Sequence, residues 1–227
     1  MLCKMHPADI TSSSLWRDLL PSCVVAYETD RFSHSALLHP QEILAVRNAV
    51  PKRVEEFAAG RACAHRALAE LRCEYAPLPR GANRNPIWPE GITGSITHTD
   101  GYCGAVAAWH HEIASIGIDA EFIGRVTDDM LRLICTPAER TRLTAMDCAP
   151  RAEAAALIFS AKEAFYKCQS GAGGELPGFQ HVELQWHDGA FLVERCGTFT
   201  PAYHGPLQGS YMISAGKVFT AITFPAG

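Results

Sequence analysis

The chain has 227 residues, 48 % of them hydrophobic, which suits one large domain or two closely packed halves. Its formal net charge of −4 argues against a nucleic-acid-binding protein, because such a protein would present a basic surface. The sequence has neither an apolar run of membrane-spanning length nor a signal-peptide core near its start, so we expect a soluble protein without membrane association.

The nine cysteines are scattered singly, with no Cys-x-x-Cys pair. Closely paired cysteines are typical of zinc sites, and an even, regularly spaced set is typical of secreted disulfide frameworks. We therefore expect reduced thiols in a cytoplasmic protein, with cysteines such as Cys63 and Cys168 filling the core.

The N-terminal part predicts one strand and one long helix. An apolar run at residues 24–27 predicts an early strand, and residues 52–71 predict a helix because apolar side chains recur there at helical spacing. Residues 76–91 hold four Pro and two Gly and predict an irregular connection. The polar segment 94–101 is interpreted as a turn or a strand edge.

The following part predicts two strands, three helices and an antiparallel meander. The strands are at 102–109 and 113–121, and the second alternates cleanly between apolar and polar residues. The helices are expected after Thr127, at a capping box that begins with Thr136, and over residues 153–168. The meander strands are expected at 182–186, 191–193, 211–214 and 218–224, with turns at Asp188-Gly189 and Gly216-Lys217. The fold class is therefore α+β, with two similar halves that join near residues 110–115.

Asp119 and Glu121 stand two apart on a predicted strand, so both carboxylates project from one face beside Gly117. Two carboxylates this close repel each other unless a cation or a shared proton relieves them. Oxygen ligands of this kind suit magnesium. Taken alone, however, the pattern is more typical of a solvent-exposed strand face.

Two further segments carry polar side chains that suit phosphate chemistry. On the predicted helix, Lys162, Glu163 and Lys167 lie away from the apolar stripe, although Glu163 and Lys167 also fit an ordinary surface ion pair. Thr97 and His98 have groups that can donate hydrogen bonds to phosphate oxygens, although a polar turn is the better explanation of this segment in isolation.

Taken together, the order and spacing of three segments resemble the signature motifs of Sfp-type 4′-phosphopantetheinyl transferases. The segments are Gly-Ser-Ile-Thr-His at 94–98, Ile-Gly-Ile-Asp-Ala-Glu at 116–121 and Phe-Ser-Ala-Lys-Glu-Ala-Phe-Tyr-Lys at 159–167. Residues 52–61 and 86–89 also resemble this family, in its branch of the enterobactin synthase component D type.

This resemblance implies a pseudo-dimer of two similar α+β halves with the active site in the cleft between them. Residues 1–112 would carry the coenzyme A-binding helix and the first motif, and residues 113–227 the metal-binding strand and the Lys-Glu helix. Members of the family transfer the 4′-phosphopantetheine group of coenzyme A to a Ser hydroxyl of an apo acyl, aryl or peptidyl carrier protein. The other product is adenosine 3′,5′-bisphosphate. Members of this size are commonly monomers, and they serve siderophore, other nonribosomal peptide, polyketide or fatty acid synthesis.

The resemblance also implies a role for each residue at a motif position. Asp119, Glu121 and Glu163 would hold Mg²⁺ against the pyrophosphate of coenzyme A, and Glu163 would also act as the base for the Ser hydroxyl, directly or through water. Lys162 would neutralise phosphate charge with support from Lys167.

The N-terminal half would bind the phosphates of coenzyme A. Arg53 and Arg61 stand eight apart on the predicted helix, on roughly the same side, and would serve the nucleotide. Thr97 and His98 would contact phosphate oxygens, and Arg80 occupies a position where the family usually has a basic residue.

Two segments depart from the family pattern, and two other functions compete with transfer. Residues 81–85 differ from the usual Gly-x-x-Gly-Glu, and residues 168–174 are short and Gly-rich in the region that meets the carrier protein. The alternatives are a different magnesium-dependent phosphoryl-transfer enzyme and an inactive homologue that binds coenzyme A or a carrier. The first leaves Arg53, Arg61 and the Thr97-His98 segment unexplained, and the second fits poorly with an intact set of predicted metal ligands.

Overall fold

A computed structural model describes residues 9–32, 38–81 and 85–227. The chain divides into two compact units, Met1–Glu112 and Ile113–Gly227, called here the N-terminal unit and the C-terminal unit. Each unit combines helices with an antiparallel sheet, which confirms the α+β fold class. Residues 82–84, within the segment that departs from the family pattern, lie outside the described residues.

The N-terminal unit has a four-stranded antiparallel sheet in the order β1-β2-β4-β3. Its strands are β1 (Thr11–Ser12), β2 (Val25–Thr29), β3 (Ile92–Thr99) and β4 (Tyr102–Trp109), and its α-helices are α1 (Ser14–Leu19), α2 (Pro40–Ile43) and α3 (Pro51–Glu70). The polar segment that the sequence left as a turn or a strand edge belongs to the edge strand β3, which pairs with β4 along its whole length.

Helix α3 packs on this sheet with a stripe of small residues. Cys63, Ala64 and Ala67 have no exposed surface, and they belong to a core that also contains Leu68. A Cβ atom on Gly60 would lie 2.8 Å from Cγ2 of Ile96, so the glycine lets the helix approach β3 closely. This contact explains a residue that otherwise weakens a helix.

The C-terminal unit has a five-stranded antiparallel sheet in the order β5-β9-β8-β7-β6. Its strands are β5 (Ile113–Phe122), β6 (Val182–His187), β7 (Ala190–Arg195), β8 (Gln208–Ser214) and β9 (Lys217–Pro225). Its helices are α4 (Asp128–Ile134), α5 (Pro137–Thr144), α6 (Cys148–Gly171) and the short 3₁₀ helix Phe179–His181. The capping box predicted at Thr136 is present, with Glu139 as its second member.

Helix α6 is longer at both ends than predicted, and it lies directly on β5. Ala161, Ala164 and Cys168 have no exposed surface. A Cβ atom on Gly117 would be only 1.8 Å from the carbonyl oxygen of Ala164. Gly117 therefore makes room for the backbone of α6, rather than for a ligand beside the carboxylates.

Two tight turns connect neighbouring strands of this sheet, one between β6 and β7 and the other between β8 and β9. Asp188 and Gly189 have positive φ angles of 45° and 79°, and Ala215 and Gly216 have φ angles of 48° and 71°. Two successive residues with positive φ are typical of hairpin turns that match the twist of the strands. The first turn is where the sequence predicts it, whereas the second lies one residue earlier than Gly216-Lys217.

No helix in the described ranges is long and apolar enough to span a membrane. The eight cysteines that the structure describes are all free thiols.

Candidate active site

Asp119 and Glu121 lie on β5, on the strand face that α6 covers. Ser115 marks the same face, because its hydroxyl donates a hydrogen bond to the carbonyl oxygen of Cys168 on the helix (2.6 Å). Asp119 is only 5 % exposed. The carboxylates are therefore enclosed between a strand and a helix rather than solvated.

Lys167 on α6 neutralises Asp119. Its ammonium group lies 2.7 Å from Oδ1 of Asp119 and also donates to the carbonyl oxygen of Ile118 (3.0 Å). Lys167 therefore orients one of the three carboxylates, and its predicted role toward the phosphates stays a prediction.

Glu121 has a buried carboxylate oxygen that its described neighbours stabilise only weakly. Its side chain is 14 % exposed, and the nearest guanidinium nitrogen, Nη1 of Arg125, is 3.8 Å from Oε2. That oxygen has no hydrogen-bond partner among the residues that the structure describes. Burial and the charge of Asp119 raise the pKa of Glu121 to about 7, although Arg125 and Lys167 oppose the shift. A buried carboxylate oxygen without a donor is a position that a cation fits.

Glu163 projects from α6 into the same electrostatic environment. Burial raises its pKa, Lys167 lowers it, and Asp119 raises it further. Glu163 in turn contributes to the raised pKa of Glu121. The three carboxylates are therefore coupled through their charges.

The described ranges contain no group of three or more His, Cys, Asp or Glu side chains arranged to hold a metal ion. The carboxylates consequently do not form a closed ligand cage. Magnesium is compatible with an open set of carboxylate oxygens, because it usually keeps several water molecules and completes its shell with substrate phosphate.

Lys162 is buried within the C-terminal unit. Its side chain has no exposed surface, and its ammonium group donates to Oε2 of Glu139 (2.7 Å) and to the carbonyl oxygens of Ile134 and Phe179 (both 2.9 Å). An ammonium group has three donors, and all three are used. All three donors are thus directed at groups of the chain, so that this residue ties α6 to the segments around it, and the role of Lys162 toward a phosphate stays a prediction.

In the N-terminal unit, Arg53 and His98 meet at the surface between α3 and β3. Nη1 of Arg53 lies 2.6 Å from Nε2 of His98 and 3.3 Å from Oε2 of Glu56. Because a guanidinium group only donates, Nε2 of His98 acts as the acceptor of this contact, and the same nitrogen lies 3.5 Å from Oε2 of Glu56. Thr97 precedes His98 on β3 and is buried.

Arg61 lies deeper on the same helix and is only 5 % exposed. Its Nε donates to the carbonyl oxygen of Leu78 (2.8 Å), and its guanidinium group stacks over the ring of Phe57 at 4.3 Å from the ring centre. Burial lowers the pKa of Arg61 to about 10, and the charges of Arg53 and Arg80 add to this effect. The charges of Arg53 and Arg80 therefore act on the buried guanidinium group of Arg61.

Two models of known families match the chain. The 4′-phosphopantetheinyl transferase N-terminal domain matches residues 39–108, and the 4′-phosphopantetheinyl transferase superfamily matches residues 115–215. The chain is also 36 % identical to the 4′-phosphopantetheinyl transferase Svp of Streptomyces mobaraensis, over 92 % of this chain and 89 % of that protein. The chain belongs to the 4′-phosphopantetheinyl transferase family.

Two other relatives agree with this assignment. The transferase is 34 % identical to the 4′-phosphopantetheinyl transferase PptT of Mycobacterium tuberculosis, over 81 % of this chain and 84 % of that protein. It is 35 % identical to enterobactin synthase component D of Escherichia coli K12, over 75 % of this chain and 81 % of that protein. The predicted family and activity are confirmed: the transferase moves the 4′-phosphopantetheine group from coenzyme A to carrier proteins.

Glu42 and His65 form a buried pair that is absent from the residues predicted from the sequence. Oε1 of Glu42 lies 2.8 Å from Nε2 of His65, and the same oxygen accepts a hydrogen bond from the backbone N–H of Leu78. The one available signal was local, since Pro40 and Glu42 occupy the first and third positions expected at the start of a helix. Nothing in the sequence connects that helix start with His65.

Proposed function

We propose that the transferase uses Mg²⁺, bound by Asp119, Glu121 and Glu163, to pass the 4′-phosphopantetheine group to a Ser hydroxyl of an apo acyl, aryl or peptidyl carrier protein. Adenosine 3′,5′-bisphosphate is the other product. The observation that carries the metal assignment is the buried oxygen Oε2 of Glu121, which lacks a hydrogen bond beside two coupled carboxylates. Carboxylate oxygens are the ligands that this cation prefers in proteins.

Mg²⁺ at this position would neutralise charge on the pyrophosphate of coenzyme A and polarise its phosphoryl oxygens. The residues of the chain contribute by orienting the carboxylates. Lys167 fixes Asp119 through the contact of 2.7 Å, and the packing of α6 on Gly117 sets how far Glu163 stands from β5. Phosphoryl transfer depends mainly on such positioning and on charge stabilisation.

Glu163 accepts the proton of the Ser hydroxyl, directly or through a water molecule. Its raised pKa supports this role, because a general base works best when its pKa lies near the working pH. Asp119 and Glu121 serve as ligands alone.

Basic residues of the N-terminal unit bind the phosphates of coenzyme A. The positive charges of Arg53 and Arg80 disfavour the charged form of Arg61, and this effect supports the proposal, since a bound anion would relieve it. The ring of His98 can donate a hydrogen bond to a phosphate oxygen, and Thr97, which precedes it on β3, would offer its hydroxyl as a second contact.

The carriers we propose belong to nonribosomal peptide, siderophore or polyketide synthesis, because one relative is named a component of enterobactin synthase. We also propose that the transferase is a cytoplasmic monomer. The free thiols support the compartment, since a reducing environment keeps cysteines unpaired.

The activity is tested by incubating the protein with coenzyme A, Mg²⁺ and apo carrier proteins of the acyl, aryl and peptidyl classes, and weighing each carrier by mass spectrometry. We expect one phosphopantetheine increment on at least one carrier and none on a carrier whose acceptor Ser is replaced by Ala. Chelation of Mg²⁺ with EDTA should abolish the increment. An increment that persists in EDTA would contradict the metal proposal, and its absence from every carrier would contradict the acceptor assignment.

A further inference from the structure

A buried carboxylate lies behind Arg61 and connects three segments of the N-terminal unit. Glu42 has no exposed surface. Its Oε1 accepts from the backbone N–H of Leu78 (2.9 Å) and contacts Nε2 of His65 (2.8 Å), and its Oε2 accepts from the backbone N–H of His39 (2.9 Å). Glu42 therefore links α2, α3 and the connection that contains Leu78.

The same connection holds Arg61. The carbonyl oxygen of Leu78 accepts the hydrogen bond from Nε of Arg61 (2.8 Å), while the N–H of Leu78 is bound to Glu42. His65 stands four residues after Arg61 on α3, so both side chains lie on one face of the helix. Arg61 is thus anchored by a peptide group that Glu42 and His65 hold from the other side.

Stability alone is a poor reason for this arrangement. A buried ion pair is often no more stabilising than well-packed apolar residues of similar volume, because desolvation of the charges offsets their attraction. A cap on a helix as short as α2 requires only one side-chain oxygen, and Glu42 uses its second oxygen for Leu78 and His65. The negative charge of Glu42 also favours the charged form of the buried guanidinium.

We propose that Glu42 and His65 are positioning residues for Arg61. They fix Leu78, whose carbonyl oxygen binds Nε of Arg61, so that the N–H groups on Nη1 and Nη2 are preoriented for a phosphate of coenzyme A. A guanidinium held in this way loses less rotamer freedom when it binds a phosphate. The inference rests on the proposed role of Arg61 in binding coenzyme A.

The test compares KM for coenzyme A and kcat of the full chain, with a carrier protein as acceptor, in wild type, R61A, E42Q and the double variant E42Q/R61A. We expect R61A and E42Q each to raise KM for coenzyme A roughly tenfold, with kcat changed less than about twofold. The double variant should be no worse than R61A, since positioning has no effect once the positioned group is absent.

H39A is the matched control. It removes the side chain that caps α2 (Nδ1 of His39 accepts from the N–H of Gln41) and keeps the backbone N–H that binds Glu42. We expect H39A to lower the melting temperature and leave KM for coenzyme A unchanged. His65 supplies a second pair of variants for the case that E42Q does not fold: H65Q keeps a donor for Glu42 and should retain KM, whereas H65L should raise it.

The outcomes separate the two proposals. If R61A leaves KM unchanged, the proposed role of Arg61 is wrong, and the positioning inference is wrong with it. If R61A raises KM and the effect of E42Q or H65L on KM adds fully to that of R61A, the positioning inference is overturned and the role of Arg61 stands. The same conclusion follows if H39A raises KM as much as E42Q or H65L does.

Discussion

Glu121 illustrates how burial controls the charge of a single residue in this transferase. Its pKa rises from 4.5 to about 7, mainly because the carboxyl group is buried and secondly because Asp119 is close. The folded state therefore binds the proton more tightly than the unfolded state does. As the pH rises from 4.5 through 7, the group ionises at a cost, and its contribution to stability falls.

The variant E121Q should remove this cost. At mildly alkaline pH and without Mg²⁺, we expect its free energy of unfolding to exceed that of wild type by about 1–3 kcal/mol, and to match wild type below pH 4.5. Urea unfolding in EDTA at both pH values measures the difference. A gain of equal size at both pH values would show that ionisation of Glu121 is not its source.

The variants D119N and E163Q should abolish transfer without unfolding the protein. Each removes a carboxylate that we assign to the metal, so we expect activity to fall by about 10²-fold or more. E153Q is the control, since Glu153 is an exposed carboxylate on the same helix α6. Transfer rates and far-UV circular dichroism check both claims, and near-normal activity of either variant would refute the metal assignment.

At the scale of elements, the contact between α6 and β5 determines the separation of the carboxylates. Asp119 and Glu121 come from the strand and Glu163 comes from the helix, and Gly117 is the point of closest approach. Small residues on both surfaces allow this spacing. A change in the packing of α6 should therefore alter activity as well as stability.

The variant G117A tests this relation. Its Cβ atom would lie 1.8 Å from the carbonyl oxygen of Ala164, so the helix must shift, and we expect a loss of about 1–3 kcal/mol or more in unfolding free energy together with a lower kcat. G178A is the control, since a Cβ atom there would lie 4.0 Å from the nearest atom of His181. Wild-type kcat in G117A would show that α6 does not set the carboxylate separation.

Lys162 connects α6 to the rest of its unit through a buried ion pair. K162M leaves Glu139 buried without its cation, and we expect a loss of about 3–5 kcal/mol in unfolding free energy, measured with urea at neutral pH. R151A removes the exposed pair with Asp128 and should cost about 1 kcal/mol or less. If K162M unfolds like wild type but raises KM for coenzyme A, Lys162 binds phosphate after all.

At the scale of the whole molecule, ligand binding should appear as stability. A ligand that binds only the folded state adds about 2.7 kcal/mol at a concentration of one hundred times its Kd. We expect the melting temperature to rise with coenzyme A and to rise further when Mg²⁺ is added, with EDTA reversing only the second step. In D119N, coenzyme A should still raise the melting temperature, and Mg²⁺ should no longer raise it further. A full Mg²⁺ effect in D119N would contradict the proposed metal site.

Short-range patterns were sufficient for much of this fold. The alternation on β5, the helical spacing on α3 and the capping box at Thr136 depend on neighbours within a few residues, so the sequence predicts them directly. The turn at Asp188-Gly189 is equally local. The family followed from motif order, without knowledge of any tertiary contact.

The remaining features depend on contacts that are distant in the chain. Strand β1 and helix α1 are too short for a periodic signal, and tertiary packing buries most of the polar side chains of β3, among them Ser95 and Thr97. Likewise, only the packing of α6 on Gly117 showed that the carboxylate face is covered rather than solvated.

The sequence thus determined a set of candidate residues, namely the three carboxylates and the basic residues. The tertiary structure decided which of these candidates share an electrostatic environment. Lys162 turned inward because Glu139, 23 residues away, is also buried and needs a cation. Arg61 is held through Leu78, 17 residues along the chain, by Glu42 and His65. Burial and long-range pairing set the charge and the accessible surface of a side chain, and neither can be read from the residues beside it in sequence.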